Sequence, residues 1–351
     1  MSWFTAIARP EILALQAYQH ASWEPGLVRL HANELPWRTP LDTSAAGLNR
    51  YPEPYPHHLA ARLAALYEVG ADSVLACRGS DEAIDLLTRS FCRAGQDAVL
   101  ITPPTFGMYS CSARIQGAKI VEAALRREAG YDIELPALLA AVTPVVKLVY
   151  LCSPNNPTGN LLDRATILEL AHLLAGRALL VVDEAYVEFS GTPSLATELA
   201  AHPGLVVLRT LSKAYGLAGA RCGAVLANPE IIELLRRVIQ PYAVTQLTIE
   251  AALHTLAPEH LGVARQRVAA LTQERCRLAT ALSAHRTVLR VWPSAANFLL
   301  VDFADAAAVL ADTHAAGLLV RDLRHAPTLG QSLRISIGTP EQNDRLLASL
   351  P

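Results

Sequence analysis

The chain has 351 residues, of which 52% are hydrophobic and 18% charged, the opposite of the balance that keeps a chain disordered. Thirty Lys and Arg against 32 Asp and Glu give a net charge of −2, so no basic excess points to nucleic acid or to a membrane surface as partner. Mean hydropathy is +0.25, yet the apolar runs are short, and none approaches the roughly 20 residues of a spanning helix.

Residues 1–35 open the chain with prolines and little sheet pattern, and they are expected to pack on the smaller of two units. Met1-Ser2-Trp3-Phe4 leads into no long apolar core, so no secretory signal is expected. His57 to Val69 sets Leu59, Leu63 and Leu66 on one helical face, and Asp81 to Arg93 does the same with Ile84, Leu87 and Phe91. Short apolar runs alternate with such stretches: Ala98–Ile101, Lys147–Cys152, Leu179–Val182, Leu205–Leu208 and Gly223–Leu226. Strands apolar on both faces belong to a parallel sheet covered by helices on both sides. The reading is an α/β fold whose large domain, residues 36–245, carries a mostly parallel sheet. From about Thr245 to Ser283 runs one long helical stretch. Val288–Trp292, Asn297–Asp302, Leu318–Arg321 and Ser332–Ile337 then read as strands of a smaller α+β domain, residues 246–351.

Six scattered cysteines form no C-x-x-C pair and read as reduced thiols of a cytoplasmic protein. The eleven histidines show no metal-ligand spacing, so no metal is expected.

Open parallel sheets bind ligands beyond the carboxyl ends of their strands. After Lys147–Cys152 comes Ser153-Pro154-Asn155-Asn156-Pro157-Thr158-Gly159, and after Leu179–Val182 comes Asp183-Glu184-Ala185-Tyr186. After Leu205–Leu208 comes Arg209-Thr210-Leu211-Ser212-Lys213. Alone, Asp183 reads first as a helix cap or ion-pair partner, and the functional alternative is a carboxylate facing a cationic ring nitrogen. A lone lysine is usually solvated, but in a desolvated pocket Lys213 can lose its proton and attack a carbonyl. Gly79-Ser80-Asp81-Glu82 opens a helix whose free N–H groups suit a phosphate, although the two acidic residues oppose one.

Taken in register, with Asp183 thirty residues before Lys213, these segments resemble the signature of fold-type-I pyridoxal-phosphate-dependent aminotransferases. The resemblance extends through Thr210-Leu211-Ser212-Lys213-Ala214-Tyr215-Gly216-Leu217-Ala218-Gly219-Ala220-Arg221-Cys222-Gly223. Further pieces are similar to the histidinol-phosphate aminotransferase branch. They are Asn33-Glu34, Asn49-Arg50-Tyr51-Pro52, Arg78 to Glu82, Pro103 to Tyr109, Asp183 to Phe189, and Leu333-Arg334-Ile335-Ser336-Ile337-Gly338-Thr339.

The resemblance implies pyridoxal 5'-phosphate as cofactor, held covalently by Lys213, which would also move the α-proton. Asp183 would keep the pyridine nitrogen protonated. Asn156 and Tyr186 would bond the ring's phenolic oxygen, and Phe106, where the branch often has tyrosine, would stack on the ring. Gly79, Ser80 and Asp81 through their backbone, with Ser212 and Arg221, would hold the phosphate, joined by Tyr51 from a second subunit of a homodimer. Arg334 would bind the anionic end of the substrate, Tyr18 and Arg321 would help with a substrate phosphate, and Asn33 joins that substrate set.

The reaction implied moves an amino group between L-histidinol phosphate and 2-oxoglutarate. An aromatic amino acid aminotransferase and a threonine-phosphate decarboxylase of the same branch stay open as alternatives. So does an idle ligand-binding scaffold, against which the intact Lys213 and Asp183 argue.

Overall fold

The computed structural model describes residues 2–24, 26–326 and 328–351. Seven strands form the larger sheet: β1 (Val74–Cys77), β2 (Ala98–Ile101), β3 (Lys119–Glu122), β4 (Val146–Cys152), β5 (Leu179–Asp183), β6 (Leu205–Thr210) and β7 (Gly223–Ala227). They lie in the order β1-β7-β6-β5-β4-β2-β3. Strands β2 to β6 pair in parallel, and β7 alone runs against both its neighbours.

Alternate residues of one strand feed different cores. Val149 and Leu151 point to a cluster with Leu59, Leu63 and Ile167, while Leu148, Tyr150 and Cys152 point to one with Ile84, Leu87 and Ile231. Both faces are therefore buried beneath helices, which is why the strands read as unbroken apolar runs. β1 and β3 are not among the runs singled out in the sequence. β3 has no buried residue, and β1 is four residues long and opens with β-branched Val74.

The smaller sheet, in the order β10-β11-β9-β8, is antiparallel. Its strands are β8 (Val288–Val291), β9 (Phe298–Phe303), β10 (Arg321–Asp322) and β11 (Ser332–Ser336). Leu278 and Leu282 of the helix Pro258–Ser283 bury against Leu299, Val301 and Phe303.

Two boundaries differ from expectation. The start of the N-terminal segment packs on the large unit instead of the smaller one. Phe4, Ala8 and Ile12, spaced four apart, sink into the core of the large sheet beside Ile84, Ile231 and Leu235. The Arg9 amide and guanidinium bond the carbonyls of Ser90 (3.0 Å) and Arg89 (2.9 Å). The stretch from Thr245 to Ser283 is two helices, Gln246–Thr255 and Pro258–Ser283, because Pro258 starts the second and cannot continue the first. Ile249, Ala252 and Leu256 bury in the large-sheet core, so the crossing to the smaller unit falls in the second helix.

Candidate active site

The parallel strands deliver Cys152, Asp183 and Thr210 to one rim of the sheet. Reversed β7 starts at that rim, so Arg221 and Cys222 join it from the other direction. The small sheet faces this rim across a cleft of about 890 Å³. Ser80, Asp81, Phe106, Asn156, Asp183, Tyr186, Ser212, Lys213 and Arg221 line it from the large unit, and Arg321 and Arg334 from the small one.

Asp183 ends β5 at 2% exposure. Its Oδ2 accepts from the Tyr109 hydroxyl (2.9 Å) and its Oδ1 from the Ala185 amide (3.1 Å). Among the described residues no Lys, Arg or His pairs with it. Burial pushes its acid up to about 6, against the pull of the Tyr109 hydrogen bond. A buried carboxylate with donors but no counter-cation is a seat for a bound cation.

Lys213 lies in the loop after β6 with its Nζ 5.6 Å from the Tyr186 ring centre. Burial lowers its pKa, and nearby Arg334 and Arg221 add to that. A lowered ammonium pKa makes the free amine more accessible as nucleophile and base. Asn156 Oδ1 accepts from Arg334 Nη1, a bond that ties the two units across the cleft. Burial lowers the Arg334 guanidinium as well, with Arg321 acting in the same direction. Tyr186 meets Phe298 edge to face at 5.2 Å, and Arg334 lies 5.3 Å from the centre of that same ring.

The helix Gly79–Phe91 opens at this rim, and the two acids of its first turn are both neutralised. Arg78 grips Glu82 with its amide (2.7 Å), Nε (2.9 Å) and Nη2 (2.6 Å). Arg221 pairs with Asp81 at 3.0 Å and donates to the Ser212 hydroxyl at 3.3 Å. The acidic objection to a phosphate is thereby met, and a helix N-terminus, a hydroxyl and a guanidinium converge. Glycine is required twice here. A Cβ on Gly79 (φ +80°) would come 2.8 Å from Arg221 Nη2, and one on Gly223 would come 2.8 Å from Gly79 Cα and from the Arg209 carbonyl. Gly223→Ala is therefore expected to cost about 1–3 kcal/mol. It should also weaken cofactor retention, read as a lower melting temperature and a smaller rise on adding pyridoxal phosphate.

Three expected residues stand outside this cleft. Tyr51 is half exposed and stacks on Tyr242 at 4.6 Å. Tyr18 is largely exposed against His20, and Asn33 takes a left-handed turn (φ 55°). Their segment is fixed elsewhere: Glu34 pairs with Arg29 (3.2 Å) and Arg50 (2.9 Å) and accepts from the Tyr51 amide (2.7 Å). Tyr18 and Asn33 are not among the residues that line the cleft of their own chain.

The structure adds residues that the sequence reading gave no role. Tyr109 reaches Asp183 from the first turn of the helix that follows Phe106, a contact with no local signal in the sequence. Asn155 donates to the Pro104 carbonyl (2.8 Å) and to Thr158 Oγ1 (2.6 Å), shaping the loop that presents Asn156. Buried Arg209 binds Glu184 (3.4 Å) and Glu188 (2.6 Å) behind the rim.

The comparisons with known proteins agree with this geometry. The chain belongs to the class I and II aminotransferases, a family that matches residues 29–350. It is 50% identical to a histidinol-phosphate aminotransferase of Stenotrophomonas maltophilia (strain R551-3), over 98% of this chain and 96% of that one. Among solved structures, a histidinol-phosphate aminotransferase from Sinorhizobium meliloti in complex with pyridoxal-5'-phosphate superposes with a TM-score of 0.77 at 27% identity, covering 86% of this chain and 82% of that one. L-threonine-O-3-phosphate decarboxylase from Porphyromonas gingivalis has a TM-score of 0.73 at 25% identity, covering 86% and 89%. Class I and II aminotransferases work with pyridoxal 5'-phosphate. The residues here fit it: an uncompensated buried carboxylate, a lysine at the cleft whose pKa is lowered, and an anion cradle that only glycine backbones leave open.

Proposed function

We propose that this enzyme transfers an amino group between L-histidinol phosphate and 2-oxoglutarate, giving imidazole acetol phosphate and L-glutamate in histidine biosynthesis, as a cytoplasmic homodimer. The observation that carries the substrate is near-full-length identity of about half to a histidinol-phosphate aminotransferase. The cleft supports it with a cationic small-unit wall of Arg321 and Arg334.

Bound pyridoxal phosphate supplies an electron sink for the charge left when the α-carbon loses its proton. Lys213 would carry the cofactor and would take the α-proton on Nζ and return it. Asp183, whose Oδ1 and Oδ2 are fixed by the Ala185 amide and the Tyr109 hydroxyl, would hold the ring nitrogen in its protonated form. Asn156 and Tyr186 would bond the phenolic oxygen, and Phe106 would pack on the ring. Gly79, Ser80, Asp81, Ser212 and Arg221 would hold the phosphate. Arg334 presents a two-pronged donor set to whichever anionic group arrives, carboxylate or phosphate. Among the described residues no helix is long and apolar enough to cross a membrane. The exposed Leu27, Val28, Leu30, Trp37 and Leu41 give the N-terminal stretch an apolar surface that suits a second copy, from which Tyr51 would reach the phosphate.

The test is amino transfer to 2-oxoglutarate from histidinol phosphate, phenylalanine and threonine phosphate in turn, with carbon dioxide followed in the last case. The expected outcome is kcat/KM for histidinol phosphate about a hundredfold above phenylalanine, since a site built around a phosphate loses a charged contact with the latter. Equal values refute the substrate, and carbon dioxide release from threonine phosphate identifies a decarboxylase instead.

A further inference from the structure

We propose that Tyr109 is a positioning residue that keeps Asp183 as a carboxylate aimed at the cofactor's ring nitrogen and couples it to the stacking residue Phe106. This rests on the pyridoxal-phosphate reading of the cleft.

Tyr109 sits in the first turn of the helix Met108–Gln116 and is fully buried. Its hydroxyl lies 2.9 Å from Asp183 Oδ2. Its ring is clamped on two sides. Tyr150 stacks on it at 4.9 Å and 8°, and Phe106 meets it edge-on at 5.7 Å and 86°. Tyr150 is itself fixed, its hydroxyl bonding Thr88 Oγ1 (3.0 Å) and the Ile84 carbonyl (3.3 Å). One side chain therefore touches both the residue at the ring face and the residue at the ring nitrogen.

Burial raises the Tyr109 phenol well above its usual range, so it stays protonated and faces Asp183 as a donor. A hydrogen bond donated to a carboxylate favours the charged form. The other titratable groups around Asp183 are Cys152, Glu184, Tyr186, Asp81, Lys213 and, farther back, Tyr150, and among the described residues none of these side chains hydrogen-bonds it. Tyr109 is thus the side-chain donor that opposes the burial of this acid.

The experiment is an absorbance titration of the full-length, cofactor-free protein with pyridoxal phosphate from pH 5 to 8.5, comparing wild type, Tyr109→Phe and Tyr150→Phe. Ring-¹⁵N-labelled cofactor reports the protonation of its nitrogen in the same samples. For Tyr109→Phe the expected result is a cofactor Kd about tenfold weaker near neutrality. The pH at which binding is half lost should rise by about one unit, and the nitrogen resonance should shift toward the unprotonated position. Tyr150→Phe removes a comparable buried hydroxyl without touching Asp183, and it should lower melting temperature while leaving those readouts in place. If Tyr109→Phe melts earlier but binds and titrates like wild type, Tyr109 only packs and the proposal is overturned. If that variant does not fold, 3-fluorotyrosine at position 109 alone replaces it. The more acidic phenol donates more strongly, so half-loss should move to lower pH, and an unchanged profile overturns the proposal. Wild type that takes up no cofactor overturns the reading of the cleft itself, an outcome distinct from wild type and variant binding alike.

Discussion

Lys213→Ala is expected to abolish amino transfer, with turnover falling about ten-thousandfold or more. Two tasks fall on the one Nζ. In the proposed mechanism it would carry the cofactor, and it would then accept a proton from the α-carbon and deliver it elsewhere. No neighbour replaces it. A guanidinium offers no lone pair to take the proton, and Tyr186 is a phenol whose pKa burial raises far above neutrality. The check is twofold: single-turnover kinetics with glutamate, and absorbance of the loaded protein. The variant should still take up cofactor, since the phosphate cradle is intact, but without the covalent link's colour. Ordinary turnover in this variant would assign the proton to another residue.

Asp183→Asn ranks second, with an expected loss of about a thousandfold in kcat. The amide preserves shape and can still bond Tyr109, but it carries no charge to hold a cationic nitrogen. The pH dependence gives this prediction its sign. In the cofactor-free protein the acid is raised to about 6 by burial. The folded state therefore holds a proton that the unfolded chain, with an ordinary aspartate near 3.8, has already lost. Stability from this group is greatest below that ordinary value and declines as pH rises to about 6, beyond which the full cost of a buried charge is present. A bound ring cation reverses the balance and draws the acid down. Cofactor affinity of wild type should thus improve as pH rises through about 6, while Asp183→Asn shows neither that gain nor the stability slope. Denaturant titration of the cofactor-free forms at pH 4.5 and 7 measures the second effect.

Much of this site is legible without coordinates, for a physical reason. Strand-end residues of a parallel sheet converge whatever the loops do, so Asp183, Asn156 and Lys213 group together from the apolar runs and the residues just past their ends. Ser212 and Arg221 come from the resemblance in register. Contacts between distant segments are not legible in the same way. Nothing local in Tyr109 announces that β5 lies beneath it, and the buried Arg209 with Glu184 and Glu188 looks like ordinary surface charge when read along the chain. The misplaced N-terminal segment is of the same kind. Phe4, Ala8 and Ile12 form an apolar stripe, but a stripe does not say which core it will enter. Tyr18 and Asn33 rest on motif position alone, and neither is among the residues lining the cleft.

The Arg221–Asp81 pair links residues 140 apart in sequence, across the junction between outermost β1 and reversed β7. A phosphate seated there fastens the sheet margin to its neighbour, and since it binds only the closed arrangement, its affinity adds directly to the cost of peeling that margin away. Backbone amides of Val74 to Cys77 should therefore exchange with deuterium far more slowly in loaded than in empty protein. The far margin at β3, at the opposite edge of the sheet from β1, should exchange at the same rate in both.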